Sequence, residues 1–253
     1  MMIQIVLTLF TVGLLLGFVG AGGSGLIISI LTVVFGYSIH TVLGTALVAM
    51  MLSSISGAVS HYREGNIHIR TGVIVGCFGA MGAWSGSMLS TYIPEENLSL
   101  LSATLLIVSG LVLLLRFLLV ARMKPSESDI PTGFGVRFWV SAIGLGLLTG
   151  ILSGVFGIGS TPFIQIGLMA LLGMSVRRAA GTTMLIIIPI AWSGGMGFYQ
   201  MGYLDLQLLA QVAVSIMLGS YLGAKFTKRV PSYYLKPAMV MVPIVGGSIL
   251  LLS

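Results

Sequence analysis

Charge is what this sequence has least of. Only 7% of its 253 residues are Asp, Glu, Lys or Arg, against 57% hydrophobic. A soluble domain carries about 25% charged residues because its surface must face water, so this chain cannot coat a soluble globule of its size. Its six acidic residues leave no carboxylate in the middle of an apolar stretch. The usual intramembrane device for proton or cation coupling is therefore missing, which weighs against a cation transporter. The single cysteine, Cys77, lies inside an apolar run and excludes disulfides and cysteine-based metal sites. No metal, cofactor or nucleotide motif is present, so no cofactor is expected. The opening MMIQIVLTLF lacks a basic n-region and a small-residue cleavage site, and reads as part of the mature protein.

What the chain has is glycine: 35 residues, spread with 8 Pro through apolar runs, as membrane helices tolerate. The formal net charge of +6 invites nucleic acid as a partner. The Lys and Arg instead sit in short connections between apolar stretches, the pattern that orients membrane proteins, so the partners expected are a lipid bilayer and a small solute. A spanning helix needs about 20 apolar residues, and stretches 41–60, 71–93, 98–120, 179–200, 205–224 and 237–253 fit one crossing each. Two others, 3–35 and 140–172, are too long for one crossing and short for two, and each carries a glycine cluster in its middle. The only clearly polar linker is ARMKPSESDIPTGFGVR, which gives a first membrane repeat at 1–120, a cytoplasmic linker at 121–137 and a second repeat at 138–253.

The two parts are copies. An offset of 137 residues carries Gly13, Gly17, Gly20 and Gly22 onto Gly150, Gly154, Gly157 and Gly159, and Gly44-Thr45 onto Gly181-Thr182. Eleven Gly–Gly pairs align without a gap over 13–114, where the glycine content gives about two by chance. Charge then sets the orientation. If all eight segments cross once, the twelve Lys and Arg divide six against six, against the positive-inside rule. If 3–35 and 140–172 are hairpins that enter and leave by one face, all twelve fall on one side, opposite Glu95-Glu96 and Asp205. The expected fold is an all-α polytopic membrane protein of two inverted repeats. Each is a re-entrant, broken-helix hairpin plus three transmembrane helices, with both termini outside the cell membrane. Hairpin legs of about 15 residues rise about 22 Å, short of a core of about 30 Å, so the tips are expected to stop inside the membrane.

Such tips suit an anion. Thr161-Pro162 reads as an N-cap followed by Pro at the first helical position, with Ser24-Gly25 as its counterpart. Each return leg then aims free N–H groups and a positive dipole end into the membrane, the general helix-terminus anion site. Gly20, Gly22, Gly23, Gly157 and Gly159, with Ser160, let backbone approach a ligand closely, and Gln165 lies one turn further in. The alternative for these glycines is helix packing by small-xxx-small spacing. Gly44-Thr45 and Gly181-Thr182-Thr183 either add hydroxyls to the site or serve packing and local back-bonding. Gly22-Gly23-Ser24-Gly25 also fits the G-x-S-G pattern of rhomboid-type intramembrane proteases, but a nucleophilic serine needs a base in reach. His40, His61 and His68 all lie at predicted helix ends, so an enzyme is not expected. His61, Arg63, Glu64 and His68 read as a solvated loop, and Arg177-Arg178 as topology determinants that also draw anions.

The duplicated blocks GLLLGFVGAGG at 13–23 and GILSGVFGIG at 150–159, the Gly-Thr pairs at 44–45 and 181–182, and the Tyr-x-x-Gly pairs at 62–65 and 199–202 resemble the sulfite exporter TauE/SafE family of membrane transport proteins over nearly the whole chain. The resemblance implies transport of sulfur-containing anions such as sulfite, sulfonates or sulfoacetate, in a direction that varies among members. The working expectation is a secondary transporter of a small oxyanion by alternating access. A permease for a neutral solute or metal ion is the alternative within transport, and a membrane enzyme or structural subunit the alternative outside it.

Overall fold

The computed structural model describes residues 2–19, 24–122, 135–227 and 232–252. Gly20, Gly22, Gly23 and linker residues 123–134 lie outside the described residues. Among the described residues ten helices follow one another: α1 (Met2–Val19), α2 (Ser24–Ser29, continuing as a π-helical stretch Ile30–Val34), α3 (Ile39–Arg63), α4 (Ile69–Ser90), α5 (Glu95–Arg122), α6 (Val136–Phe156), α7 (Thr161–Ala170), α8 (Val176–Gln200), α9 (Leu206–Thr227) and α10 (Ser232–Leu251). No strand occurs among them.

The duplication reaches individual residue positions. The offset of 137 carries α3 onto α8 and α4 onto α9, first residue to first and last to last. The turns repeat as well. Gly36 and Gly173 take φ of 69° and 65°, and Gly65 and Gly202 take 71° and 78°, backbone that only glycine enters without strain. Each ends a helix or its frayed last turn, where a left-handed residue is the common stop.

Five helices among the described residues are long and apolar enough to cross a membrane: Ile39–Arg63, Ile69–Ser90, Glu95–Leu115, Val136–Phe156 and Arg177–Gln200. The fourth departs from expectation. Two legs of similar length are expected for 140–172, yet α6 has 21 residues and α7 has 10. The break falls late because the α6 backbone stays helical through Gly144, Gly146, Gly150 and Gly154 and leaves only at Gly157, in the left-handed region at φ 62°. At 1.5 Å per residue α6 rises about 31 Å, so its length matches the apolar core rather than stopping short of it.

Glycine contacts fix the helix directions. A methyl group on Gly167 of α7 would meet Leu145 of α6, so these two helices fold back as a hairpin. Gly44, Gly195 and Gly57 bring Phe198, Val48 and Met184 together across α3 and α8; rising numbers on α3 meet falling numbers on α8, and the two run antiparallel. Gly110 faces Val240 and Ile244 while Gly247 faces Ala103 and Leu106, so α5 and α10 are also antiparallel. By contrast α4, α6 and α8 run parallel, with Gly146, Gly150 and Gly154 of α6 against Val75, Gly79 and Ala83 of α4, and Gly72 and Gly76 of α4 against Leu185 and Pro189 of α8.

This parallel trio is the tightest part of the bundle. Lipid is as apolar as leucine, so close backbone contact and hydrogen bonds hold membrane helices together. The Ser193 hydroxyl of α8 donates to Ala80 O of α4 at 2.7 Å. The counterpart seam, α3 against α9, is far less extensive. Where α4 has Gly72 and Gly79, α9 has Leu209 and Ile216, and the Ile216 backbone lies against Gly13 of α1.

Candidate functional site: the tip of the second hairpin

The α6–α7 connection is Gly157-Ile158-Gly159-Ser160, buried throughout. A Cβ at Gly157 would lie 2.8 Å from the Leu43 Cα, and one at Gly159 would meet the Met50 side chain. The tip therefore rests on α3 between Leu43 and Met50. The helix start lies one residue earlier than the sequence suggests: Ser160 is the N-cap, Thr161 the first helical residue, and Pro162 follows. Ser160 itself is left-handed, at φ 44°, unusual for a residue with a side chain. Its hydroxyl does not cap the helix; it donates to Ile158 O at 3.2 Å. Ile164 N–H bonds Ser160 O at 2.9 Å, Pro162 has no N–H, and no acceptor among the described residues takes the N–H groups of Thr161 and Phe163.

Three polar side chains here are buried without partners: Thr161 Oγ1, Gln165 Oε1 and Ser153 Oγ. Gln165 is 6% exposed and Ser153 fully buried. An unpartnered buried hydroxyl or amide costs about 1–3 kcal/mol, and three such groups lie on the two helices that meet at this tip. Thr161 and Gln165 share a face of α7, one turn apart. The pairing of Leu145 with Gly167 puts Ser153 level with the start of that helix.

The other anticipated residues separate into groups. Ser24 is buried at the start of α2. A Cβ on Gly25 would come within 2.5 Å of Leu106 Cδ2, and Gly246 packs on Gly25. Ser29 Oγ donates to Gly246 O at 2.5 Å, which holds α2 between α5 and α10. Gly44 backs onto Phe198 and Leu204, and Thr45 Oγ1 bonds Thr41 O at 2.8 Å. Gly181 faces Asn66 O and His61. The Thr182 hydroxyl accepts from His68 N–H at 3.0 Å, and Thr183 Oγ1 bonds Ala179 O at 2.7 Å. These threonines are engaged locally, those at 182 and 183 beside the α3–α4 connection. None of the histidines bonds Ser24: His40 contacts Ser90 O and Glu95, and His61 and His68 lie at the α3–α4 connection.

Sequence reasoning missed two residues. Ser153 and Ser102 are fully buried hydroxyls without partners, the second on α5, the helix that borders both α2 and α7. Their counterparts are Leu16 and Met239, so a comparison of the two copies passes over them. Polarity inside an apolar run was the available signal.

His68 starts α4. Its Nδ1 accepts from Thr71 N–H at 3.3 Å, and burial, then Arg178 and Arg70, push its pKa below the ordinary histidine value. The unfolded chain takes up this proton at higher pH than the folded one, so stability from neutral His68 is complete above about pH 6.5 and is lost as pH falls through the lower folded value. Thermal melts at pH 7.5 and 5.0 are expected to show destabilisation in acid, with a smaller difference in His68→Asn.

The sequence profile of the sulfite exporter TauE/SafE family matches residues 5–250. The chain belongs to that family of membrane transport proteins. This TauE/SafE protein is 46% identical over 248 residues to "Probable membrane transporter protein YdhB" of Bacillus subtilis (strain 168), covering 98% of the chain and 99% of that relative. It is 26% identical over 242 residues to "Probable membrane transporter protein ORF9" of Sinorhizobium sp, covering 93% and 88%. It is 25% identical over 259 residues to "Probable membrane transporter protein MJ0441" of Methanocaldococcus jannaschii, covering 96% and 92%. No solved structure matches this TauE/SafE protein significantly.

Proposed function

We propose that this TauE/SafE protein is a secondary transporter of a small sulfur-containing oxyanion or organosulfonate, bound at the start of α7. The observation that carries the reading is the pair of unpartnered buried hydroxyls Ser153 Oγ and Thr161 Oγ1 beside the open N–H groups of Thr161 and Phe163, with Gln165, whose amide oxygen is also unpartnered, one turn further along α7. A desolvated oxyanion needs donors to replace water, and hydroxyls, an amide NH2 and helix N-terminal N–H groups are such donors without a fixed charge that would trap it. From the first repeat α5 packs on α7 and carries the buried, unpartnered Ser102 hydroxyl.

In this reading the halves lie inverted in the plasma membrane, with both termini extracytoplasmic and the arginine-bearing connections inside. Antiparallel packing of the counterparts α3 and α8, and of α5 and α10, supports inversion, because a two-fold relation that reverses helices has its axis in the membrane plane. The connection with Arg63, Glu64 and Asn66 lies against Gly181 and Thr182, which gathers Arg177 and Arg178 with Arg63 and Arg70 at one mouth, where cations concentrate anions. Arg63→Cys and its counterpart Gln200→Cys, each in a Cys77→Ala background, are expected to label from opposite sides of oriented vesicles; labelling from the same side contradicts inversion.

The deciding experiment is flux in proteoliposomes with radiolabelled sulfite and a panel of sulfonates. Saturable anion uptake above empty liposomes supports the reading. Selective uptake of divalent cations or neutral solutes, with no anion flux, rejects it.

A further inference from the structure

At the end of the bundle opposite the arginine connections, α3, α4, α5 and the α8–α9 connection converge on His40. Its side chain is 5% exposed. Nε2 lies 3.0 Å from Ser90 O, and a carbonyl oxygen only accepts, so Nε2 carries hydrogen. Nδ1 faces a second acceptor, Glu95 Oε1, at 3.5 Å. With Nε2 already protonated, a neutral ring turns a lone pair toward that carboxylate. The contact becomes attractive when one further proton sits on Nδ1 or on Glu95. Glu95 Oε1 also accepts from Ser38 Oγ at 2.7 Å, which fixes its position, and the Tyr203 ring stacks on the imidazole at 4.9 Å and 28°, a face that favours a cationic ring. The other titratable groups at this end of these elements are Tyr37, Tyr92, Glu96 and Asp205, and Asp205 is committed to the Gln207 and Leu208 N–H groups. Glu95 is 58% exposed and reaches water, so a proton has a route to the buried ring.

The position is linked to the candidate site from two directions. Leu43, one turn along α3 from His40, supports Gly157 of the tip, and Gly44 packs on Phe198 and Leu204, the latter next to Tyr203. The 137-residue offset carries His40 onto Arg177. One copy thus has a permanent cation where the other has a titratable ring.

We propose that His40 and Glu95 form a proton-binding site, and that the bound proton couples to anion movement. Protonation makes the pseudo-equivalent positions 40 and 177 alike in charge, and proton loss makes them unlike, so occupancy biases a two-fold-related carrier toward one orientation. The coupling rests on the transport reading; the proton site does not.

Two experiments on the full-length protein separate these. In nanodiscs with 15N-labelled histidine, the His40 signal, assigned with His40→Gln, is followed across a pH series and is expected to show Nε2 protonated throughout and a second proton taken up at Nδ1. Glu95→Gln is expected to displace the Nδ1 step, and Glu96→Gln to leave it in place. An Nδ1 that does not titrate, or that ignores Glu95→Gln, overturns the proton site. In proteoliposomes, an imposed acid gradient is expected to speed wild-type sulfite uptake at least fivefold. In His40→Gln that gradient response disappears while exchange at equal pH falls less than threefold. A persisting response, or equal loss of both, overturns coupling. Wild-type liposomes that move no anion at all overturn the substrate reading and the coupling with it, and the histidine spectra still decide the proton site.

Discussion

Thr161→Val is expected to cut sulfite or sulfonate flux at least tenfold while the ligand-free protein melts no lower than wild type. The two halves of this result come from one observation. Thr161 Oγ1 is buried without a partner, so in the empty protein the hydroxyl costs free energy that an isosteric methyl does not. Bound to an anion, the same hydroxyl makes a charge-assisted bond, worth about 1.5–3 kcal/mol, or about 10–150-fold in affinity. A threonine that only packed the hairpin would give flux and stability that move together. Thermal stabilisation by sulfite, measured beside flux, checks the point: ligand that binds only the folded form raises its stability, and the valine variant is expected to lose that increment. Gln165→Leu should behave in the same manner. Removing a threonine hydroxyl that is bonded within its own helix, such as that of Thr183 to Ala179 O, should not.

Gly154→Val is expected to be the most damaging single change to the fold. A Cβ there would lie 2.9 Å from the Ala83 Cα, and one on Gly150 would lie 2.9 Å from the Gly79 Cα. Both obstacles are backbone of a helix pinned on its other face by α8, so neither can rotate away. Overpacking of this kind costs about 3 kcal/mol, or about 6–12 °C in melting temperature for a chain of this size. Gly144, on the same helix, faces open space, and Gly144→Ala should hold or raise stability because alanine favours a helix. Fluorescence-detected melts of the three proteins in one detergent compare them directly. A Gly154→Val protein as stable as Gly144→Ala contradicts the α4–α6 contact.

Much of the architecture was legible because it is written twice. Gly36 and Gly65 recur as Gly173 and Gly202, and all four turn the chain at positive φ; a repeat of sequence became a repeat of helix ends. The hairpin lengths were not legible. Glycine is tolerated in a helix that packs on another helix, and nothing in GILSGVFGIG says that Gly150 and Gly154 stay helical while Gly157 does not. That choice depends on Gly79 and Ala83, about seventy residues away in the chain. Thr161 and Gln165 could be picked out as polar residues after a glycine cluster. Ser102 and Ser153 stand out only weakly as single hydroxyls in apolar runs, since burial without a partner is a property of the assembled bundle.

The α4–α6–α8 contact also bears on how the protein is made. Its three helices come from both copies, so the glycine face of α4 emerges from the ribosome long before the helices that cover it. The first copy must wait in the membrane with that face unmatched until the second is inserted, and each copy expressed alone lacks the surface it needs.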